Sequence, residues 1–388
     1  MDRWALLSFI ITALAGGSPP APPIALPGSD CQLVSSGYGP TGAARVRAET
    51  VASGLEVPWG IGFLPGGDWL VTERPGRVRL LRDGRLDPEP VMTVSVAEEG
   101  EGGLLGIAVH PRFSDNHFFY LYVTAPEKGE PFNRVVRYRL ADDHRSATLD
   151  RTILDRIPAA PYHDGGRLRF GPDGMLYIGT GDGGVPDRAA SRDSLNGKLL
   201  RVTPDGDVPA DNPFPGSPVF LLGLRNTQGF DWIDRRSLVV TDHGPSGEFG
   251  LTGNDEVNIA RAGDDLGWPR IHGCTSAPGM ITPSLAWAAP VPPGGAALYT
   301  GLAIPEWRGS LLIGTLRLKH LHRVVLDPAN PRRVLRHEVY FEGYGPRGFG
   351  RLREVVMGPD RELYVTTSNC DGRGICPPDK DRILRITR

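Results

Sequence analysis

A short pattern that returns six times along the chain is the feature that most limits its fold. Each copy has a turn rich in Gly, Pro and Asp and then an apolar or alternating strand, as in PGGDWLVTERPGRVRLL, GPDGMLYIGTGDGG and GPDRELYVTTSN. Equivalent points in the copies are Leu70, Leu121, Tyr177, Val239, Leu312 and Tyr364. The steps between these points, 51, 56, 62, 73 and 52 residues, match a four-stranded unit with loops of variable length.

Helical periodicity is almost absent, because no stretch keeps apolar residues at i, i+3, i+4 and i+7 over three turns. Asp-Gly pairs at 83–84, 173–174 and 205–206 supply the positive φ values that tight hairpins need. The sequence therefore predicts an all-β fold, a six-bladed β-propeller of four-stranded antiparallel blades, with residues 45–388 as one domain. A two-domain β-sandwich fits less well, because the repeat continues without a break in composition.

The first 30 residues are predicted to be an export signal and a Pro-rich linker. A short apolar stretch, ALLSFIITALAGG, is followed by SPPAPPIALPG. The alternative is an uncleaved membrane anchor, but the stretch is shorter than the ~20 apolar residues that a membrane span needs. We therefore expect a secreted or periplasmic protein with no transmembrane span in its mature form.

Four cysteines, an even number in a chain expected to be exported, favour disulfides. We predict that Cys370 pairs with Cys376 across the segment CDGRGIC, which would leave Cys31 for Cys274. A zinc site is the weaker alternative, because no second CxxC and no pair of histidines accompanies these residues.

The charge pattern gives no footprint for nucleic acid or for an anionic membrane surface. The net charge is −2 and no run of Lys and Arg stands out. A composition of 40% hydrophobic and 23% charged residues is typical of a globular protein with a substantial core. We expect a small, weakly charged partner, no nucleic acid partner, and a monomer or homodimer.

The loops at one end of a propeller converge on the central channel, so polar residues far apart in sequence can meet there. The candidates are Glu101, His163, Asp182, Arg225, Asn226, Gln228, Gly244, Pro245, Arg317, Arg351 and Arg353. Taken singly, His163 could be an ordinary loop residue and Asp182 a turn cap. Arg351 and Arg353 alternate along a predicted strand and could be a solvated edge or a clamp for carboxylates. Four arginines left unpaired at one site would repel one another, which implies a polyanionic ligand.

Together these segments resemble the quinoprotein glucose/sorbosone dehydrogenase family. Its members are soluble, periplasmic or secreted six-bladed propellers that use pyrroloquinoline quinone (PQQ). The resemblance covers nearly the whole chain from about Val51 onward. It is carried in family order by GEGGLLGIAVHPRF, YHDGGRLRFGPDG, GTGDGG, GLRNTQGFDW, DHGP, NDEVN…GDDLGWP and GRLREV. The chain is more similar to aldose sugar dehydrogenases than to the larger soluble glucose dehydrogenases, because it lacks long insertions around the site.

The resemblance implies a role for each matching position. His163 lies where the family has its general base, and Asp182 where an acidic residue orients that base. The positions matching cofactor contacts are Glu101, Arg225, Asn226, Gln228, Arg317, Arg351 and Arg353. The backbone carbonyls of Gly244 and Pro245 match those that hold the active-site calcium. A second, structural calcium is bound in relatives by a segment that corresponds to Asp255, Glu256 and Asp265.

The chain also departs from the family pattern. Glu101 stands where the glucose dehydrogenases have glutamine. Arg317 stands where many relatives have lysine, which keeps the charge and changes the reach and donor geometry. The segment DHGPSGEFGLTGNDEVN is longer than usual between the two calcium segments.

The resemblance implies oxidation of the anomeric hydroxyl of an aldose sugar to a lactone, with PQQ and Ca²⁺ as cofactors and an external electron acceptor. Two other classes stay open. One is a calcium-dependent lactonase propeller, in which carboxylate and Asn ligands hold the metal and water is the nucleophile. The other is a non-enzymatic extracellular binding propeller.

Overall fold

The computed structural model describes residues 30–388, and the predicted export signal lies outside the described residues. Six antiparallel sheets form the blades of a six-bladed β-propeller, which confirms the predicted fold. Short helical segments occur only in connections within the described range; they are Phe113–Asn116, Asp187–Ala190, Glu248–Gly250 and Pro305–Trp307. None of the helices described is long and apolar enough to cross a membrane.

Each blade is built from four strands that follow one another from the channel outward, and the outer strand of the last blade comes from the start of the chain. Blade 1 contains Pro58–Phe63, Trp69–Glu73, Arg77–Arg82 and Arg85–Leu86, with Met92–Thr93 also paired to the third strand. Blade 2 contains Leu104–Val109, Phe118–Ala125, Phe132–Leu140 and Ala147–Pro158. Blade 3 contains Leu168–Phe170, Leu176–Gly179, Leu199–Val202 and Val219–Leu221. Blade 4 contains Gly229–Trp232, Leu238–Asp242, Asp255–Ala260 and Leu285–Trp287. Blade 5 contains Pro293–Leu298, Leu311–Thr315, Leu321–Leu326 and Val334–Tyr340. Blade 6 contains Leu352–Met357, Leu363–Thr367, Asp381–Thr387 and Arg47–Leu55.

The repeat points of the sequence all fall on the second strand of their blade. Leu70, Leu121, Val239 and Leu312 are fully buried, since each second strand lies between neighbouring blades and is covered on both faces. This double burial explains why the second strands are nearly continuous apolar segments, and it is what made the repeat visible in the sequence.

The ring closes through the two ends of the chain. Arg47–Leu55 pairs antiparallel with Asp381–Thr387 and supplies the outer strand of blade 6. A further strand, Gln32–Val34, runs parallel to Leu285–Trp287 at the outer edge of blade 4. Pairing of this kind covers sheet edges that would otherwise be open. The edge position of Gln32–Val34 was not predicted.

One end of the ring collects the polar loops. Because neighbouring strands are antiparallel, the loops between second and third strands open at the same end as the connections from one blade to the next. A small hairpin, Tyr344–Gly345 with Gly348–Phe349, lies in the connection between blades 5 and 6. All the predicted site residues except Arg353, Asp255, Glu256 and Asp265 lie in loops that precede or follow strands at this end.

Candidate active site

His163 directs one ring nitrogen at a buried carboxylate. It lies in the connection between blades 2 and 3, whereas Asp182 lies in the loop after the second strand of blade 3. The Nδ1 atom of His163 is 2.7 Å from Oδ1 of Asp182. Since an ionised carboxylate can only accept a hydrogen bond, Nδ1 is the donor in this contact, and in the neutral imidazole the lone pair is then on Nε2. The structure thus brings together the two residues predicted to be catalytic.

The backbone around this pair allows its close approach. His163 has a φ of 65°, in the left-handed region. Its carbonyl oxygen would lie 2.0 Å from a β-carbon at position 181, so Gly181 leaves room that no other residue would leave. The N–H of Gly183 donates to the same carbonyl at 3.2 Å. The glycine-rich segment therefore holds the His163 loop against Asp182.

Asp182 is fixed by further hydrogen bonds and is completely buried. The indole Nε1 of Trp268 donates to Oδ2 at 2.9 Å, and the N–H of Gly184 donates to Oδ1 at 2.8 Å. The N–H of Asp182 itself donates to the carbonyl of Arg225 at 2.8 Å. Both carboxylate oxygens are thus engaged, which sets the orientation of the carboxylate toward His163.

Glu101 connects the His163 loop to blade 4. Its Oε2 accepts the N–H of His163 at 3.1 Å and Nδ2 of Asn226 at 3.4 Å. Its Oε1 accepts Nη1 of Arg373 at 2.9 Å. Burial alone would raise the pKa of Glu101, but His243 and Arg373 beside it lower the pKa to about 2. Glu101 is therefore an ionised part of the frame around the proposed base.

Arg225 and Asn226 are held through their backbone by a buried carboxyl group. Their N–H groups donate to Asp242 at 2.7 and 2.8 Å. Burial raises the pKa of Asp242 to about 7. Oδ1 of Asn226 accepts the N–H of Gly165 at 2.9 Å, next to His163. The predicted cofactor residues Arg225 and Asn226, in the connection between blades 3 and 4, and the predicted base therefore belong to one network.

The guanidinium of Arg225 is buried and faces Glu248. Nη2 of Arg225 lies 2.6 Å from Oε1 of Glu248. The same oxygen lies 3.9 Å from Nε2 of His163. The Nε atom of Arg225 is buried and has no hydrogen-bond partner in the described part of the chain. A buried donor without a partner is costly, so this atom is suited to an acceptor on a ligand.

Arg351 and Arg353 share one carboxylate at the start of blade 6. Nε and Nη2 of Arg351 donate to Oδ2 of Asp371 at 2.9 and 2.7 Å, and Nη2 of Arg353 lies 3.5 Å from the same atom. Nη1 of Arg353 donates to Oε1 of Gln228 at 3.2 Å. Burial would raise the pKa of Asp371, but the two guanidinium groups hold it below its ordinary value. The two arginines therefore have an ionised partner within the chain and are not left unpaired without a ligand.

The loop that carries Asp371 is closed by a disulfide. Cys370 is bonded to Cys376, as predicted, and the other two cysteines form the pair Cys31–Cys274. This loop also carries Arg373, the partner of Glu101.

Arg317 lies on a neighbouring loop of blade 5. Its side chain is exposed, and it makes no ion pair with another residue of the described range. The preceding carbonyl, of Leu316, accepts Nη1 of Arg351 at 3.0 Å. The structure thus places Arg317 at the rim of the arginine cluster and not within it.

Gly244 and Pro245 are buried after the second strand of blade 4. The N–H of Gly244 donates to Oδ1 of Asp255 at 3.1 Å. No hydrogen bond from a residue of the described chain ends on the carbonyl oxygen of Gly244 or of Pro245. Buried carbonyl oxygens without a donor are suited to a hard cation such as Ca²⁺.

The three carboxylates of the predicted second calcium site are not brought together. Asp255 and Glu256 are neighbours on a strand and point to opposite faces of the sheet. Asp255 accepts the N–H of Val291 at 2.6 Å, and Glu256 accepts the N–H of Gly273 at 2.7 Å. Asp265 is bonded to the backbone of its own turn. Within residues 30–388, no group of three or more His, Cys, Asp or Glu is arranged to hold a metal ion.

Four side chains that complete the site were not among the predicted site residues; they are Asp242, Glu248, Trp268 and Asp371. Asp242 and Trp268 lie in segments already singled out, DHGP and GDDLGWP, so a signal for them was present. The position of Asp371 between two paired cysteines was a weaker signal. Nothing in the sequence indicated Glu248, because its approach to Arg225 depends on the path of a long loop.

Residues 55–383 match the family model for glucose/sorbosone dehydrogenase. The chain belongs to the glucose/sorbosone dehydrogenase family. The PQQ-bound aldose sugar dehydrogenase of Streptomyces coelicolor is 36% identical in sequence, with a TM-score of 0.76, over 89% of this chain and 98% of its own. A Thermus thermophilus protein described as a candidate oxidoreductase (glucose dehydrogenase) is 45% identical in sequence, with a TM-score of 0.79. The match covers 88% of this chain and 100% of that protein's chain. Aldose sugar dehydrogenase YliI of Escherichia coli (strain K12) is 31% identical over 355 residues, 85% of this chain and 92% of its own.

Membership of the glucose/sorbosone dehydrogenase family makes the chain an oxidoreductase of a sugar dehydrogenase family and confirms the resemblance drawn from the seven sequence segments. The similarity extends over most of the chain and most of each relative. The fold is therefore one that this chain shares with solved structures of similar proteins.

Proposed function

We propose that the protein is a PQQ-dependent aldose sugar dehydrogenase that oxidises the anomeric hydroxyl to a lactone and passes the electrons to an external acceptor. One observation carries this proposal. His163 is bonded to Asp182 through Nδ1, at 2.7 Å, and its Nε2 lies 3.9 Å from the Glu248 oxygen to which the buried guanidinium of Arg225 is bonded. A base and a cationic anchor thus stand next to each other, as oxidation on a carboxylated quinone requires.

The donor set fits a planar group with several carboxylates. Nε of Arg225 has no partner in the described chain, and Nη2 of Arg353 makes no hydrogen bond to another residue there. Guanidinium groups bind carboxylates through two parallel hydrogen bonds, which also fixes their orientation. The residues that would hold the quinone are Arg225, Asn226, Gln228, Arg351 and Arg353, with Arg317 at the rim. The carbonyl oxygens of Gly244 and Pro245 would hold Ca²⁺.

When bound, the quinone supplies an electrophilic carbon that accepts hydride, and Ca²⁺ supplies a Lewis acid, which are functions that no side chain offers. The chain supplies the base. Nε2 of His163 takes the proton of the sugar hydroxyl, and Asp182 stabilises the imidazolium that forms. Trp268 and Gly184 keep that carboxylate in place. A general base in this position contributes roughly 10²–10⁴-fold to the rate.

Neither the lactonase nor the binding propeller would need both the His163–Asp182 pair and the arginine cluster. A calcium-dependent lactonase has no use for a cluster of buried arginines, and a binding propeller has no use for the His163–Asp182 pair. The family match and the arginine cluster both favour the dehydrogenase.

We also propose that the mature protein acts outside the cytoplasm, as a single propeller domain of residues 45–388. The two disulfides support this location, because disulfides persist mainly in oxidising compartments.

The test is reconstitution. Purified protein is mixed with PQQ and Ca²⁺, freed of unbound quinone, and examined for quinone absorbance and for aldose-dependent dye reduction. We expect both signals, and we expect a chelator that removes Ca²⁺ to abolish dye reduction. Hydrolysis of lactones without quinone would favour the lactonase, and absence of both activities would favour the binding propeller.

A further inference from the structure

A carboxylate on a long loop faces the free nitrogen of the proposed base. Oε1 of Glu248 lies 3.9 Å from Nε2 of His163 and 2.6 Å from Nη2 of Arg225. Within the described chain, Asp182 and Glu248 are the carboxylates that come within ion-pairing distance of the His163 ring. Asp182 is on the Nδ1 side. Glu248 is therefore the carboxylate on the side from which Nε2 would take a proton.

The loop holds Glu248 in this place by its own contacts. The N–H of Ser246 donates to Oε2 of Glu248 at 2.6 Å, and Ser246 pairs with Thr252 across the base of the loop. The ring of Phe249 lies 6.0 Å from that of Trp268, which itself is bonded to Asp182. The loop thus contacts the same residue that orients the catalytic pair.

Glu248 carries a negative charge at neutral pH and remains reachable. Burial would raise its pKa, but the N–H of Ser246 and the guanidinium of Arg225 keep the pKa below the ordinary value. Its side chain is 24% exposed, in contrast to 7% for His163 and 2% for Arg225. A ligand at Nε2 would therefore meet an ionised oxygen that is not sealed off from it.

Two acceptors at this spacing suit two neighbouring hydroxyl groups of one sugar. While one hydroxyl gives its proton to Nε2 of His163, the next can donate a hydrogen bond to Oε1 of Glu248. We infer that Glu248 is a specificity residue that favours sugars with a hydroxyl or an ammonium group on the carbon next to the anomeric carbon and rejects sugars with an anionic group there. The rejection follows because that anionic group would face a like charge at short range. This inference rests on the proposed sugar dehydrogenase function.

The experiment compares three substrates of the same configuration: a neutral aldose, its 2-phosphate and its 2-amino sugar. kcat and KM are measured for the reconstituted wild type and for Glu248→Gln, which keeps the size and one acceptor oxygen and removes the charge. We expect KM for the neutral aldose to rise by about tenfold, since a hydrogen bond to a charged acceptor becomes one to a neutral acceptor. KM for the 2-phosphate should fall and that for the 2-amino sugar should rise most.

Two further variants separate specificity from structure. Glu248→Asp keeps the charge and should retain the preference for the neutral sugar over the 2-phosphate. Glu89→Gln, at an exposed residue at the outer edge of blade 1, removes a carboxylate that has no ion pair in the described chain, and should leave all three KM values unchanged. Quinone absorbance per protein is recorded for every variant, so that a loss of cofactor is seen separately.

The outcomes are distinct. If wild type reduces dye with the neutral aldose and Glu248→Gln leaves the KM ratio of the 2-phosphate to the neutral sugar unchanged, the specificity role is wrong and the proposed function stands. An equal loss with all three substrates would show a merely structural role and would also overturn the inference. A wild type that binds no quinone and oxidises no sugar would overturn both.

Discussion

Nη2 of Arg351 lies 2.7 Å from Oδ2 of Asp371, a carboxylate whose side chain is only 2% exposed. Arg353 approaches the same oxygen, so the chain supplies its own counter-charge to the arginine cluster. A bound polycarboxylate would therefore add acceptors to guanidinium groups that are already partly neutralised. The stability of the ligand-free protein and its affinity for the quinone are consequently coupled through Asp371.

Replacing both arginines by methionine should destabilise the ligand-free protein. The double variant Arg351→Met/Arg353→Met leaves Asp371 buried without a charged partner, and breaking a buried ion pair costs about 3–5 kcal/mol. The sequence alone, in which the arginines have no visible partner and would repel one another, predicts no loss of stability. Thermal unfolding without quinone measures the difference. Adding Asp371→Leu should recover part of the loss, and a double variant that melts like wild type would contradict the ion-pair account.

The contribution of Asp371 should depend on pH in a defined direction. Its pKa lies below the ordinary 3.8, because Arg353 and Arg351 outweigh the effect of burial. A carboxyl group whose pKa is lowered in the folded state stabilises that state fully at pH values above its unfolded-state pKa. This stabilisation is lost as the pH falls through the folded-state pKa. In urea unfolding, the free energy of unfolding of wild type should exceed that of Asp371→Asn by a constant amount from pH 7 to 5. Below pH 4 the difference should shrink, and a difference that grows there would count against this assignment.

The fold was predictable because its determinants are local. Each second strand is buried on both faces, so residues such as Leu70 and Leu312 stand in continuous apolar runs that recur with the blade spacing. The outer strand Gln32–Val34 was not predictable in the same way. It is three residues long, and its place beside Leu285–Trp287 depends on pairing across most of the chain.

The site was predictable only where a residue sits in a recognisable segment. His163 and Asp182 lie in glycine-rich segments, and the structure places them 2.7 Å apart. The carboxylates that pair with the arginines of the site come from distant loops. Glu248 and Asp371 reach the arginines only through the folded paths of those loops, so the sequence does not show which arginine each pairs with, although the cysteines on either side of Asp371 were a weak signal.

Removing the imidazole of His163 should abolish most activity without releasing the quinone. In the proposed mechanism Nε2 of His163 takes the hydroxyl proton, and the imidazole makes no hydrogen bond to Arg225, Arg351 or Arg353 in the described chain. We expect His163→Ala to lower sugar-dependent dye reduction by about 10²–10⁴-fold. Absorbance of bound quinone, measured on the same samples, should be unchanged. Full activity in this variant would move the base to another residue.

Opening the small disulfide loop should weaken quinone binding more than it weakens the fold. Cys370–Cys376 closes the loop that carries Asp371 and Arg373, so Cys370→Ser/Cys376→Ser lets both side chains spread over more conformations. Quinone binding would then have to order these two side chains, and this loss of conformational entropy should raise the Kd for the quinone by about tenfold. Cys31→Ser/Cys274→Ser is the matched control, because that disulfide fixes the N-terminal segment to the loop before the outer strand of blade 4. It should lower the melting temperature and leave the Kd unchanged, and equal Kd values in both variants would refute the role of the loop.

The indole of Trp268 should affect the rate through Asp182. Nε1 of Trp268 donates to Oδ2 of Asp182 at 2.9 Å, on the oxygen that does not face His163. Trp268→Phe keeps an aromatic ring and removes this donor, and a hydrogen bond to a charged group is worth about 1.5–3 kcal/mol. Because the carboxylate then has more freedom to turn away from the imidazole, kcat should fall by roughly tenfold to hundredfold with KM for the sugar little changed. Trp287→Phe is the control for lost volume, since the buried Nε1 of Trp287 has no hydrogen-bond partner in the described chain. If Trp287→Phe lowers kcat as much as Trp268→Phe does, the loss reflects packing, and the hydrogen bond to Asp182 does not position the base.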